Sequence, residues 1–196
     1  MSDELPKSIF HGNLEETKRD AFDVIHSYFF LDRMKRKRDL EICFRQHITH
    51  PLYKKLSNMK SHEYHICLPI LYKAISLLIE NGYNDYDSSC ITFEFQRRNY
   101  LSFGEKKPNK DIIWHYDDKN VAPYKVYSII FYLRKDKTIK GGGLLYDLEE
   151  KEEINIQKIN ISAGDYVVFP GNLYHSPEPS YGFGCRDSIV VFVKRN

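Results

Sequence analysis

Residues 163–175 read Ala-Gly-Asp-Tyr-Val-Val-Phe-Pro-Gly-Asn-Leu-Tyr-His, and this stretch decides the class of fold. An apolar run, Tyr166 to Phe169, lies between an Ala-Gly-Asp turn and a Pro-Gly-Asn turn. Short apolar runs bounded by glycine and proline are typical of strands in all-β domains. The chain is then expected to re-enter a sheet at residues 173–175, which places His175 directly after a turn.

The same pattern continues along the chain after Ser88, where short apolar runs alternate with turn residues. The predicted strands are residues 91–96, 112–115, 126–133, 144–148, 154–161, 166–169, 173–175 and 188–194. Many short strands with glycine-rich turns predict a small sandwich or jelly roll.

The N-terminal part has a different pattern, because apolar residues recur at helical spacing from about Leu14 to Tyr83. The clearest helix is predicted over residues 68–79, ending at Asn81-Gly82 as a C-cap. We expect the helices to pack on the outer face of one sheet, so the fold class is mainly β with N-terminal helices (α+β).

Composition indicates one globular domain. The chain has 196 residues, of which 42% are hydrophobic and 29% charged. No apolar stretch is long enough to cross a bilayer and the N-terminus lacks signal-peptide character, so we expect a cytoplasmic or nuclear protein without membrane partners. The net charge of +2 gives no global electrostatic reason to expect nucleic-acid binding.

The four cysteines, Cys43, Cys67, Cys90 and Cys185, are scattered without short spacings. This pattern argues against a zinc knuckle or a disulfide scaffold and predicts reduced, mostly buried thiols.

Two basic clusters stand out against the balanced charge. The first is typical of a solvated helix face, with a localisation signal or phosphate contact as the alternative. The second precedes the candidate metal ligands and is expected to border the mouth of their site. The first cluster comprises Arg33, Lys35, Arg36, Lys37 and Arg38, and the second comprises Arg97, Arg98, Lys106, Lys107 and Lys110.

A metal site is predicted from His115-Tyr116-Asp117 together with His175. Two imidazoles and one carboxylate hold Fe(II) on one face of an octahedron and leave three positions open. On a regular strand, His115 and Asp117 would point to the same face. Asp118 is a rival ligand. On its own, a His-x-Asp motif is a weak indication of a metal site, since Asp117 can cap a turn and His115 can be a surface residue.

Arg186 strengthens the prediction, because it opens the apolar run that forms the last strand. A buried arginine requires a partner, and its planar guanidinium suits bidentate binding of a carboxylate. Ser188 is expected on the same strand face and can donate a further hydrogen bond to that ligand.

From about Ile91 onward, the sequence resembles the Fe(II)/2-oxoglutarate-dependent dioxygenases, in particular their prolyl-hydroxylase-like branch. The residues that carry the resemblance are His115-Tyr116-Asp117, Ile129-Ile130-Phe131-Tyr132-Leu133, Gly142-Gly143-Leu144-Leu145, residues 163–169, His175 and Gly184-Cys185-Arg186. The loop from His175 to Arg186 is slightly longer than is usual in that branch. Arg186-Asp187-Ser188 is instead similar to the Arg-x-Ser of plant-type members, which weakens an assignment to prolyl substrates.

The resemblance implies a double-stranded β-helix (jelly roll, cupin-like) core over residues 91–196, supported by a helical region over residues 1–90. It implies catalysis by His115, Asp117, His175 and Arg186, with iron on the first three. The 2-oxoglutarate co-substrate would be bound by Arg186 and Ser188, with Tyr132 and Tyr100 as further candidate contacts. Ascorbate is an additional candidate cofactor.

The implied reaction consumes dioxygen and 2-oxoglutarate, hydroxylates a C–H bond and releases succinate and CO2. A protein or peptide side chain is the favoured substrate. The alternatives are a nucleic-acid base, hydroxylated or oxidatively demethylated, and a non-enzymatic cupin-like module that binds a metal or small ligand.

Two other features compete for a role. His47 with His50, and His62 with His65, have a spacing that suits two metal ligands on one helix, but no third ligand lies nearby in sequence. Trp114 precedes the first candidate ligand and is expected in the core or at the substrate entrance.

Overall fold

The computed structural model describes residues 8–14, 16–28, 52–55, 57, 59–102, 114–120, 124–148 and 155–196. For residues 16–20, 52–55, 97–102 and 119–120 it describes the backbone alone. The helices are α1 (Glu16–His26), α2 (Ser61–Glu80) and α3 (Asp117–Asn120). The strands are β1 (Phe10–Asn13), β2 (Leu52–Lys55), β3 (Tyr86–Ser102), β4 (Val126–Lys135), β5 (Lys140–Gly141), β6 (Leu144–Asp147), β7 (Gln157–Ile159), β8 (Asp165–Pro170), β9 (Tyr174–Pro177) and β10 (Ser180–Arg195).

The strands form two antiparallel sheets. The larger sheet has the order β1-β8-β4-β10-β3-β2, with β5 paired to β10, and the smaller has the order β7-β6-β9. His115 extends the smaller sheet through an isolated antiparallel bridge to His175. The mainly β character predicted from the sequence is therefore confirmed.

Two hydrophobic clusters occupy opposite faces of the larger sheet. One contains residues of α1, α2 and the sheet, and there the rings of Phe22 and Phe131 lie 5.4 Å apart. The other contains residues of β4, β8 and β10 together with Leu144 and Ile159 of the smaller sheet. Because both of its faces are covered, β4 is apolar from Val126 to Leu133 except at Ser128, and this run does not alternate.

Several predicted elements are confirmed. The helix predicted over residues 68–79 is the second half of α2, which ends at Asn81 as C-cap with Gly82 at φ 79°. Each predicted strand after Ser88 also overlaps a strand of the structure, with one exception. His115 makes only an isolated bridge, and residues 112 and 113 lie outside the described residues.

The structure differs from the predictions in two further respects. Residues 52–55 were included in the helical N-terminal region, but they form β2, an edge strand paired with β3. In addition, β3 and β10 are 17 and 16 residues long and pair with each other almost throughout. The C-terminal half of β3 and the N-terminal half of β10, which pair with each other, are rich in polar residues and glycine. Backbone pairing rather than an apolar pattern therefore extends both strands.

No helix in the described part of the chain is long and apolar enough to cross a membrane. The described cysteines are free thiols: Cys67 and Cys185 are buried and Cys90 is half-buried, as predicted, whereas Cys43 lies outside the described residues.

Candidate active site

The two predicted histidine ligands are brought together by backbone pairing. The N–H of His115 donates to the carbonyl of His175 at 2.9 Å, and the N–H of His175 donates to the carbonyl of His115 at 3.1 Å. Their ring centroids lie 4.3 Å apart. These two hydrogen bonds hold His115 directly opposite His175 at the edge of the smaller sheet, although the two residues are far apart in the sequence.

Asp117 reaches the same point by a route that the sequence did not predict. The shared strand face that a regular strand would give His115 and Asp117 does not occur, because the chain leaves the bridge after His115 and Asp117 begins α3. The start of that helix, rather than strand alternation, directs the carboxylate toward the histidines.

The three side chains form a compact donor set. Oδ1 of Asp117 lies 3.5 Å from Nε2 of His115, and Oδ2 lies 3.8 Å from Nε2 of His175. One ligand atom from each residue lies within 4.8 Å of the others, and no other group of this kind occurs among the described residues. Bonds of about 2.0–2.1 Å to a first-row ion place neighbouring ligand atoms roughly 3 Å apart, so small side-chain shifts would complete coordination.

Neighbouring groups orient the donors. Nδ1 of His175 hydrogen-bonds the carbonyl of Leu173 at 2.9 Å, which makes Nδ1 the protonated nitrogen and directs the Nε2 lone pair toward the site. The ring of Phe169 packs edge-on against His175, with centroids 4.7 Å apart. The hydroxyl of Ser128 donates to Oδ2 of Asp117 at 2.5 Å.

Electrostatics favour the protonation states that a metal requires. Burial alone would raise the pKa of Asp117, but His175 and the hydrogen bonds from His115 and Ser128 hold that pKa below its usual value. Burial lowers the pKa of His175, although Asp117 opposes the shift. An ionised carboxylate and a neutral imidazole are the forms that bind metal ions.

The rival ligand, Asp118, has a structural role. Its Oδ1 accepts a hydrogen bond from the N–H of Val126 at 2.7 Å, and its own N–H donates to the carbonyl of Gly171 at 3.1 Å. Asp118 therefore ties α3 to the start of β4 and is not part of the three-residue donor set.

Arg186 is buried, with 4% of its surface exposed, and it lies inside β10 rather than at the start of that strand. Its Nη1 donates to the carbonyl of Gly142, and its guanidinium lies 5.8 Å from the ring of Tyr132. Its Nε is buried without a hydrogen-bond partner. An orphaned donor on a buried cation is costly unless a ligand completes it.

One cavity of about 230 Å³ joins the donor set to Arg186. The structure thus brings together six of the seven predicted site residues, namely His115, Asp117, His175, Arg186, Ser188 and Tyr132. The seventh, Tyr100, lies on β3 opposite Gly184, and its side chain is outside the described residues.

Sequence reasoning missed two polar residues of the cavity wall, Glu94 and Gln96. The signal was present in the strand predicted over residues 91–96, where Ile91, Phe93 and Phe95 alternate with polar residues. Alternation shows that the polar face differs from the apolar one, but not that it lines a cavity.

The remaining sequence candidates do not join the site. Nε2 of His62 hydrogen-bonds the hydroxyl of Tyr28 at 2.8 Å, and neither His62 nor His65 belongs to the donor set. Trp114 is half-buried and stacks on Tyr174, with centroids 5.0 Å apart. His47, His50 and both predicted basic clusters lie outside the described residues, although the backbone of Arg97 and Arg98 is part of β3.

Sequence comparison finds no matching family model and no matching curated protein. Structural comparison does find similar proteins. A Pseudomonas putida prolyl-4-hydroxylase is 15% identical over 97% of this chain and 94% of its own, with a TM-score of 0.59. A viral collagen prolyl hydroxylase from Paramecium bursaria Chlorella virus-1, solved with 2-oxoglutarate, is 14% identical over 99% and 98%, with a TM-score of 0.55.

A third similar structure is a prolyl hydroxylase from Trichoplax adhaerens in complex with a hypoxia-inducible factor peptide. It is 13% identical over 97% of this chain and 84% of its own, with a TM-score of 0.59. The chain therefore has the jelly-roll fold of the 2-oxoglutarate- and Fe(II)-dependent oxygenases. The resemblance to the prolyl-hydroxylase-like branch is confirmed at the level of the fold.

Proposed function

We propose that this protein is an Fe(II)- and 2-oxoglutarate-dependent oxygenase that hydroxylates a C–H bond. The observation that carries the proposal is that the donor set of His115, Asp117 and His175 shares one cavity with Arg186, whose Nε is buried and unpartnered. This combination offers a site for a metal and a site for a carboxylate. A cupin-like module that only binds a metal has no comparable use for the buried cation.

Different residues of the chain would bind the metal and the co-substrate. The donor set would hold the iron, which supplies the oxidation of 2-oxoglutarate and of the substrate by dioxygen when it is bound. Arg186 would bind the distal carboxylate of 2-oxoglutarate through Nε and the guanidinium edge. Ser188, which is buried on the same strand face, would donate a further hydrogen bond. We assign the hydroxyl of Tyr132 a contact with the same carboxylate. Ascorbate stays a prediction.

Apolar side chains complete the wall between these two ends, namely Ile130, Leu144, Val190 and Phe192. They exclude water from the cavity, which strengthens the electrostatic interaction between Arg186 and a bound carboxylate. They also protect reactive species from side reactions with solvent.

The finer part of the proposal is that the substrate is a side chain of a protein or peptide. Two of the similar structures are described as a collagen prolyl hydroxylase and a prolyl hydroxylase bound to a peptide fragment, which supports a macromolecular peptide substrate here. The cytoplasmic or nuclear location and the single-domain organisation stay predictions.

Anaerobic titration tests the proposal. We expect purified protein that is loaded with Fe(II) to develop a visible absorption band when 2-oxoglutarate is added, because both would bind at one centre. Admission of air should then release succinate. Iron binding without the band would favour the cupin-like binding module instead.

The backbone that supports Arg186 provides a second test. A Cβ at Gly142, where φ is +76°, would lie 3.2 Å from Nη1 of Arg186 and 3.4 Å from Cβ of Ser180. Gly142→Ala should displace the guanidinium and weaken 2-oxoglutarate binding by about tenfold, as measured by the same titration, since part of a charge-assisted interaction is lost.

Gly82→Ala is the matched control, because Gly82 has φ +79° and nothing lies within 4 Å of the added Cβ. Both variants therefore carry the same backbone strain, on the order of 1–2 kcal/mol. Only Gly142→Ala should weaken the binding of 2-oxoglutarate. Equal affinities in the two variants would contradict the position assigned to the co-substrate.

A further inference from the structure

Glu178, in the hairpin between β9 and β10, is an acidic residue to which the proposed reaction gives no role. It lies in the loop from His175 to Arg186, which is slightly longer than is usual in the prolyl-hydroxylase-like branch. Only 16% of its side-chain surface is exposed. Its Oε2 accepts a hydrogen bond from the N–H of Gly143 at 2.9 Å, and its Oε1 pairs with Lys158. Glu178 therefore links this loop to the connection between β5 and β6.

That connection, Gly142-Gly143, is held to the loop by three hydrogen bonds. Besides the bond to the carboxylate, the carbonyl of Gly143 accepts from the N–H of Glu178 at 2.9 Å, and the N–H of Gly142 donates to the carbonyl of Pro179 at 3.4 Å. Gly143 is buried, and a buried N–H requires an acceptor. Only the bond to the carboxylate uses a side chain, so the backbone pairing of the loop does not depend on an acidic residue at this position.

The same connection also holds Arg186. The carbonyl of Gly142 accepts a hydrogen bond from Nη1 of Arg186, and Gly143 and Arg186 both line the cavity. A guanidinium is planar and rigid, so fixing Nη1 on this carbonyl sets the direction of Nε and of the other amino group. The position of Gly142-Gly143 therefore determines how Arg186 is presented to a ligand.

We propose that Glu178 is a positioning residue for the co-substrate: by holding Gly142-Gly143 it aligns Arg186, and it thereby makes the site selective for a 2-oxo acid that carries a second carboxylate. This inference rests on the proposed function and assigns a role to the loop that separates His175 from Arg186. Glu178 is not among the described residues that line the cavity, so it acts through the connection and not on the ligand.

Electrostatics alone predicts the opposite effect. Glu178 lies within electrostatic reach of the cavity end that holds Arg186, because burial and Arg186 lower the pKa of Lys135 whereas Glu178 opposes that shift. The negative charge of Glu178 would repel an anionic co-substrate, so its removal would strengthen binding. If Glu178 positions Arg186, removal of its side chain weakens binding instead. The sign of the effect therefore distinguishes the two roles.

Two variants separate the hydrogen bond from the charge. Glu178→Ala removes both and should weaken 2-oxoglutarate binding to the Fe(II)-loaded protein by about five- to tenfold in the anaerobic titration, because a hydrogen bond to a charged group is lost. Glu178→Gln keeps an oxygen that can accept from the N–H of Gly143 and removes only the charge. Its affinity for 2-oxoglutarate should stay within about threefold of the wild type, since the hydrogen bond is retained.

A double-mutant cycle shows whether Glu178 acts through Arg186. Independent effects would add, so the absence of a further loss when Glu178→Ala is made in the Arg186→Ala background is the expected result. A second comparison uses 2-oxopentanoate, a 2-oxo acid without the distal carboxylate. Glu178→Ala should leave its affinity unchanged, because this ligand has no group for Arg186.

Asp87→Ala is the matched control. Asp87 also accepts a backbone hydrogen bond, from the N–H of Ser89 at 3.0 Å, and also pairs with a lysine, Lys194. It lies near the start of β3 and does not line the cavity, so its loss should leave 2-oxoglutarate affinity unchanged. The affinity for Fe(II), measured by competition with a chromophoric chelator, should be the same in all of these variants and shows that each is folded around an intact donor set.

Four results would overturn the inference: Glu178→Ala binds 2-oxoglutarate as tightly as the wild type or more tightly, Glu178→Gln loses as much affinity as Glu178→Ala, the loss persists in the Arg186→Ala background, or the affinity for 2-oxopentanoate falls equally. Failure of the proposed function is distinguishable, since the wild-type protein would then develop no absorption band with 2-oxoglutarate.

Discussion

Asp117→Ala is expected to abolish turnover and to lower the affinity for Fe(II) by more than about a hundredfold. Loss of groups that merely orient a metal ligand typically costs ten- to a hundredfold in affinity, and Asp117 would be a ligand itself. The variant would leave two imidazoles without the negative charge that balances the ion. Iron binding is measured by competition with a chromophoric chelator, and turnover by succinate release.

The matched control is the adjacent carboxylate. Asp118→Asn keeps an oxygen that can accept the hydrogen bond from the N–H of Val126, and Asp118 does not belong to the donor set. This variant should bind iron normally. Thermal unfolding distinguishes loss of the site from loss of the fold, because Asp117→Ala leaves the hydroxyl of Ser128 without its acceptor and should cost only about 1 kcal/mol. Iron binding retained in Asp117→Ala but lost in Asp118→Asn would reverse the assignment.

Arg186→Ala should act on the co-substrate and leave the metal in place. The guanidinium lies at the other end of the cavity from the donor set and would contact only the distal carboxylate. A hydrogen bond to a charged group contributes on the order of 1.5–3 kcal/mol, so 2-oxoglutarate affinity should fall roughly ten- to a hundredfold. Arg186→Lys should retain only part of the 2-oxoglutarate affinity, since an ammonium cannot form the bidentate contact. The affinity is measured by the anaerobic titration.

Arg134→Ala is a suitable control, because Arg134 lies on the neighbouring strand but pairs with Asp136 at 2.7 Å in a partly exposed position. Its loss should leave the titration unchanged. Unaltered 2-oxoglutarate affinity in Arg186→Ala would show that the buried cation serves the fold rather than the co-substrate.

The sequence by itself determined the helices and strands whose local pattern of apolar residues identifies them. The apolar runs of β4 and β8, bounded by turn residues, predicted strands, and the periodic run in α2 ending at Asn81-Gly82 predicted a helix with a glycine after its cap. It also predicted the residue types of the candidate site, namely two histidines, a carboxylate and an arginine at the start of an apolar run. These features are local, so a pattern of neighbouring residues is enough to specify them.

Tertiary structure decided where those groups meet. His115 and His175 are joined by reciprocal backbone hydrogen bonds, which no side-chain pattern encodes. Asp117 is directed by the start of α3, a helix that the sequence did not predict, and residues 52–55 form β2 by pairing with β3. Glu94 became a cavity residue because the smaller sheet lies opposite its strand. In each case the deciding interaction joins residues distant in the chain, and its free energy depends on the partner's position rather than on the local sequence.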